Sequence, residues 1–400
     1  MNQGQSRQVI ATTAPSLGPS LQSNQRRGLI RPGLWVGLVL GLLPAGCSDP
    51  ATQQPSEDMG PTMGMVVSTV GTSPALTNLP QDAAIWVHPT DSTRSRILVT
   101  ERSNFMGNLY VYDLDGKLQQ QLGPLLQPGL VDVERDFMLD GKSVDIAAVA
   151  EAGKNAIRLY AIDRDTGVLR DVTGGTTVFI DRVGDAARPG AVGLYRRKSD
   201  KSIFAITGAI TGPVTNYIYQ YKLTARPGFI DLYYTRSFGD FSTIVQPGEN
   251  DVKGLLVDDD RGYVYYSDKP CCIRKYAADP DAVNANQELA QFGKSEFMGD
   301  RNGLALYSRT DGTGYLLSID QLNGKSRVLV WKREGEALLP NVHNAVSILD
   351  LNADFTDGIE VSSAALGQNY QQGMMVVSNR KDNNFLLYPW SDIAKSGGLK

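Results

Sequence analysis

The chain has 400 residues, with 39 Lys+Arg against 43 Asp+Glu and a formal net charge of −4, so it lacks the broad basic footprint of a nucleic-acid binder. An apolar content of 42% suits a soluble core, in one large domain or two ordinary ones. Helix signals are scarce while Gly (41) and Tyr (17) are plentiful, which points to an all-β chain rich in turns.

Residues 1–47 read as an export signal. Arg26, Arg27 and Arg31 precede the apolar run Leu34–Leu43, which is followed by the small-residue segment Pro44–Cys47. The run is too short to span a bilayer. Its ending resembles a bacterial lipoprotein signal, with Cys47 as the lipidated residue, although Pro44 stands where such signals usually have Leu. Arg26-Arg27 fits either a twin-arginine signal or a plain basic flank. Residues 48–65, rich in Gln, Pro, Ser, Gly and Met, are expected to be a tether, leaving 66–400 as the folded domain. This arrangement predicts an exported protein, lipid-anchored at the cell envelope or secreted, that meets a membrane only through the lipid.

From Leu109 to Val172 the chain alternates apolar and polar residues and breaks at Asp/Gly turns, the pattern of half-buried strands joined by hairpins. Strand ends resembling Tyr112-Asp113 return at Ile162, Tyr221, Tyr276, Trp331 and Tyr388, at intervals of 50, 59, 55, 55 and 57 residues. A second series, a small residue followed by an apolar strand, starts at Ala83, Leu130, Val192, Lys253, Asn302 and Asp357. Six units of this length predict a six-bladed β-propeller of four-stranded antiparallel blades, with the second series innermost. Strand Met65–Val70 is expected to close the ring by pairing near Phe385–Tyr388.

Residues just ahead of the innermost strands would ring one mouth of a central channel. Asp82, Asp132, Asp251, Asp300, Asp354, Asp357 and Glu360 fall there. A single Asp at such a place is most simply a turn cap. Three or more sharing one rim need cations, and hard Ca²⁺ takes six to eight oxygens.

At these residues the chain resembles the β-propeller phytases, over roughly Gln81 to Ala394. The strongest elements are D-A-A-I-W-V-H-P (Asp82–Pro89), Y-D-L-D-G-K-L (Tyr112–Leu118), V-D-D-D-R-G-Y-V-Y (Val257–Tyr265) and T-D-G-I-E (Thr356–Glu360). The resemblance implies a secreted, calcium-dependent, monomeric phosphomonoester hydrolase acting on phytate (myo-inositol hexakisphosphate) or another small anionic phosphomonoester. Bound Ca²⁺ would activate water and stabilise the transferring phosphoryl group. It further implies Asp82, Asp357 and Glu360 as catalytic metal-site residues, and a shared place on the rim adds Asp132, Asp251 and Asp300 as further candidate metal ligands. Arg102 sits where the family has a phosphate-binding Lys, and Arg135 and Arg188 are the other substrate-binding candidates.

The chain also departs from that pattern. Glu134 takes the slot of a family Arg, with Arg135 one step late, and strand alternation would turn Arg135 away unless a bulge intervenes. Gly190 replaces a Tyr, Thr207-Gly208-Ala209-Ile210 replaces T-G-K-E, and Lys253 and Asn302 replace two calcium-site Glu residues. Two other functions suit the same scaffold: a propeller that binds an anionic ligand without turnover, and an esterase or lactonase propeller.

Other chemistry is poorly supplied. His88 and His343 are the only histidines, which disfavours a multi-His zinc site and a Ser-His-Asp triad, and both are expected to be surface or turn residues. Cys271 and Cys272 are adjacent, so they form either a strained bridge in a loop or two free thiols.

Overall fold

Each strand-and-turn unit of the sequence folds as one meandering sheet, because the Asp/Gly turns return the chain beside itself. The computed structural model describes residues 62–67 as backbone and 71–175, 177–242 and 251–400 in full. All belong to one compact unit, Glu57–Lys400. The export signal, Cys47 and most of the expected tether lie outside the described residues.

Blade 1 comprises Leu79–Trp86, Arg96–Arg102, Met106–Tyr112 and Leu118–Leu126, hydrogen-bonded in that order. Blade 2 comprises Pro128–Leu139, Lys142–Glu151, Ala156–Ile162 and Leu169–Asp171, and blade 3 Pro189–Arg196, Ile203–Ala209, Thr215–Arg226 and Phe229–Asp240. Leu255–Asp258, Tyr263–Asp268, Cys272–Ala277 and Ala290–Phe292 form blade 4. Blade 5 holds Asp300–Ser308, Gly314–Leu322, Lys325–Lys332 and Ala345–Leu351, and blade 6 begins with Ile359–Ser362, Met374–Asn379 and Asn384–Pro389. The fold is therefore the six-bladed propeller that the repeat predicts.

The ring closes through Gly71–Thr72, the outer strand of blade 6, whose residues pair with Leu387 and Leu386. The expected closing strand, Met65–Val70, is thus displaced toward the C-terminus by a few residues. The preceding strand Thr62–Val67 runs parallel to Ala345–Leu351 on blade 5, so part of the segment expected to be a tether is a strand of the propeller. The outer edge of blade 5 presents unpaired backbone groups, and this strand satisfies them.

One blade cannot bury both its faces, and the core is accordingly divided into one apolar cluster at each junction between neighbours. Ala84, Leu98 and Val111 meet Val131 and Val149 between blades 1 and 2. Val99, Tyr112 and Ile85 meet Val376 and Phe385 between blades 6 and 1, which shows that the circle is shut. The repeated strand-end residues Tyr112, Ile162, Tyr221, Tyr276, Trp331 and Tyr388 all lie on third strands and are buried in these junctions. The small residues that lead the inner strands have a steric cause as well. A Cβ on Gly254 would come 2.8 Å from the Leu304 nitrogen on the next blade, so only glycine permits that approach near the axis.

Candidate functional site

The first strands of all six blades line a central cavity of about 390 Å³. Seven carboxylates line it, of which Asp258 and Asp260 are ion-paired with Arg333. Asp82 and Glu360 enter near the mouth where the inner strands begin, Asp132 sits deeper, and Glu134 and Asp259 lie toward the opposite mouth.

Their placement follows from strand geometry. The innermost strand of each blade has no sheet partner on its axial side, so its N–H groups need other acceptors. Carboxylates of neighbouring blades supply them. Asp82 Oδ2 accepts from the Val131 amide at 3.0 Å, Asp132 Oδ2 from Leu194 at 2.6 Å, and Asp259 Oδ1 from Arg196 at 3.0 Å.

Protein surrounds these groups although several touch the cavity, and desolvation penalises their charged forms. Burial pushes Asp82 up to about 8, with the Val131 and Ala83 amides opposing the rise and the charges of Asp132 and Asp357 adding to it. Burial likewise pushes Asp132 up to about 7, against hydrogen bonds from Leu194 and Val133. Glu360 is raised well above the usual range by burial and then by the charges of Asp132 and Asp82. Glu134 is raised by burial and then by its neighbour Asp259, which is itself raised by burial.

The mouth where the inner strands begin is wired differently. Asp357 is buried and ion-paired with Arg380, with Arg102 at 3.8 Å on its exposed side. Asn302 Nδ2 donates to Asp357 Oδ1 at 3.3 Å. Asp251 pairs with Lys253 at 2.5 Å and Asp300 with Lys269 at 3.0 Å. Thus Asp251, Asp300 and Asp357, expected as metal ligands, are each neutralised by a protein cation, whereas Asp82, Asp132, Glu134, Asp259 and Glu360 form no ion pair among the described residues. Asp354 also stands apart from the channel lining, its amide held by Asn379 Oδ1 at 3.1 Å.

Of the expected anion-binding residues, Arg102 and Arg188 belong to this same mouth, and Arg188 is tied to Asp185 at 2.8 Å. Arg135 does not join them. A bulge between Glu134 and Phe137 does intervene, with Asp136 at φ 62°, and Arg135 lines the cavity at the far end of the channel. The grouping of Arg102 with Arg135 is therefore corrected: inner-strand residues beyond Glu134 have already crossed the ring. Sequence reasoning also missed Asp259 and Arg380. V-D-D-D at Val257–Asp260 hinted at the first, since one of three consecutive Asp on an inner strand must face the axis.

The two histidines, expected to be surface or turn residues, lie in connecting segments and are buried there. His88 Nδ1 accepts from the Thr90 and Asp91 amides, at 3.3 and 3.1 Å. His343 contacts the Lys332 carbonyl at 3.0 Å, and burial lowers its pKa to about 4. Cys271 and Cys272 are joined as a disulfide.

The donor set of Asp82, Asp132 and Glu360 suits a hard cation: carboxyl oxygens only, without ion-pair partners among the described residues, and able to gain negative charge as a cation displaces the protons that burial favours. As built it is a carboxyl lining and not a closed coordination shell. Among the described residues, only Asp268, Cys271 and Cys272 bring three ligand atoms within 4.8 Å of one another.

The family model described as Phytase matches residues 64–395. The 3-phytase of Bacillus subtilis (strain 168) is 28% identical over 331 residues, covering 79% of this chain and 81% of the relative. Among solved structures, the Myceliophteria thermophila Cps50 (Swd1) β-propeller domain aligns with a TM-score of 0.43 at 12% identity, over 80% of this chain and 99% of that one.

Proposed function

The chain belongs to the phytase family, and from that premise we propose that it is a calcium-dependent phosphomonoester hydrolase acting on phytate or a similarly anionic phosphomonoester. The observation that carries this reading is that Asp82, Asp132 and Glu360, buried or half-buried and without ion-pair partners among the described residues, open onto a mouth with Arg102, Arg380 and Arg188. Asp82, Asp132 and Glu360 would hold the ion, with Asp357 contributing from the rim. Bound calcium supplies charge neutralisation and lowers the pKa of water. Asp82 and Asp132 are positioned by the neighbouring inner strands they accept from, so the carboxylates are oriented before any ligand arrives. Arg102, nearly half exposed, is free to turn a guanidinium edge to phosphate oxygens, while Arg380 stays anchored on Asp357.

The test is phosphate release from phytate across a calcium series, with and without EDTA. Release that EDTA abolishes supports the proposal. Folded protein that releases no phosphate at any calcium concentration refutes it.

A second reading has its own support. Lys253, Lys269 and Arg380 neutralise the rim carboxylates internally, which favours capture of an anion without turnover. Calorimetry showing that phytate binds equally well in EDTA, with no phosphate release, would select it. We also propose that the protein is an exported monomer carrying lipid on Cys47. Incorporation of labelled fatty acid that is lost in Cys47→Ser checks the anchor.

A further inference from the structure

We propose that the turn Asp268–Cys272, once its disulfide is reduced, binds one thiophilic divalent cation of the zinc class through the two sulfurs and the Asp268 carboxylate. The proposal does not depend on the hydrolase reading.

The turn joins the second and third strands of blade 4 and lies at the mouth where the inner strands begin. Ser267 N donates to the Gly254 carbonyl at 2.9 Å, and Arg301 Nη1 to the Lys269 carbonyl at 3.1 Å. Both Sγ atoms and a carboxylate oxygen of Asp268 lie within 4.8 Å of one another.

Asp268 supplies the second, independent observation. Its side chain is wholly buried, and Oδ2 is fully engaged: it accepts from Arg274 Nε at 2.8 Å, Ser242 N at 2.9 Å and Ser242 Oγ at 2.8 Å. Oδ1 is buried with no hydrogen-bond partner. An unsatisfied buried carboxylate oxygen is costly, and native proteins rarely leave one without a purpose. It belongs to the carboxylate that brings an oxygen within 4.8 Å of both sulfurs, where a cation would satisfy it.

The donor chemistry selects the ion. Two thiolates and a carboxylate make a soft, anionic set suited to zinc-class ions and poorly suited to calcium. Arg274 offsets part of that charge through Oδ2, so a divalent cation brings the cluster close to neutrality. Cys272 is buried but Cys271 is only half-buried, which gives a reductant and a fourth, water ligand access from one side.

The reductant is a dithiol. Its thiolate attacks the accessible Cys271 sulfur, breaking the Cys271–Cys272 bond and forming a mixed disulfide. Its second thiol then closes on the first, releasing Cys271. The dithiol leaves as a disulfide, having supplied two electrons and two protons, and the cation displaces the two thiol protons to solvent as it binds.

The test uses the full chain, reduced with dithiothreitol and desalted under anaerobic conditions, then incubated with zinc and desalted again. Reduced wild type should retain about one zinc per chain, whereas the oxidised protein and the reduced Cys271→Ser/Cys272→Ser variant should retain none. Cadmium in place of zinc should give sulfur-to-metal charge-transfer absorption in the reduced wild type only. Equal zinc in reduced and oxidised protein, or none in either, overturns the proposal. The oxidised-against-reduced comparison needs no substitution, so it decides even where the serine variant does not fold.

Discussion

Asp82 Oδ2 accepts the Val131 amide at 3.0 Å, so the first carboxylate of the channel is also a fastening between blades 1 and 2. That double duty explains how an acidic group persists where burial opposes its charge. Asp82 rises from its ordinary value of 3.8 to about 8 and Asp132 from 3.8 to about 7. The folded state then holds protons that the unfolded state has already lost. The stability this contributes is complete below about pH 4 and drains away as pH rises through about 7 and 8. In EDTA the denaturation midpoint should therefore fall between pH 5 and pH 8. Calcium should oppose the fall, and Asp82→Asn should flatten it. A midpoint that climbs over this range in EDTA would contradict the charge assignment.

Gly358 lies against the same carboxylate. A Cβ there would sit 2.4 Å from Asp82 Oδ1 and 2.6 Å from the Gln81 carbonyl, so backbone must move. Gly358→Ala should cost about 1–3 kcal/mol, the usual penalty of overpacking. Urea denaturation measures it, and calcium affinity should weaken in the same variant because Asp82 is displaced.

Asp357 and Arg102 separate rim stability from rim function. Asp357→Ala leaves Arg380 without its buried counter-ion and should cost about 3–5 kcal/mol. Arg102→Ala removes only a partly exposed contact at 3.8 Å and should cost no more than about 1 kcal/mol. If Arg102 holds phosphate, its loss should raise KM roughly tenfold, the value of one charged hydrogen bond. An unchanged KM would remove it from the substrate site.

Asn302 offers the opposite experiment. Its amide caps Asp357 Oδ1, so Asn302→Glu places a second carboxylate beside the first. In EDTA the variant should be less stable than wild type. Calcium at about a hundred times its Kd should return roughly 2.7 kcal/mol, more than wild type gains. Equal calcium shifts in the two proteins would show that no ion reaches this rim.

The propeller was legible because its determinants are local and repeated. Tyr112, Ile162 and Trp331 mark third strands wherever they recur, and a small residue near the axis marks each inner strand. The channel was legible in part: Asp82, Asp132 and Glu360 face inward as the alternation requires. Asp251 and Asp300 did not reveal themselves as ion-paired, because Lys269 reaches Asp300 from a different blade and nothing in the spacing encodes that meeting. Arg135 could not be placed either, since a bulge reorients a strand without leaving a clear mark in the residues around it.

The clasp between Gly71–Thr72 and Asn384–Pro389 sets the timing of assembly. Ser73 Oγ accepts the Phe385 amide across 312 positions of chain. The earliest-made portion of the domain must therefore wait, one edge open, until the strand Asn384–Pro389 has been made. Losing that one strand would unfasten the whole circle.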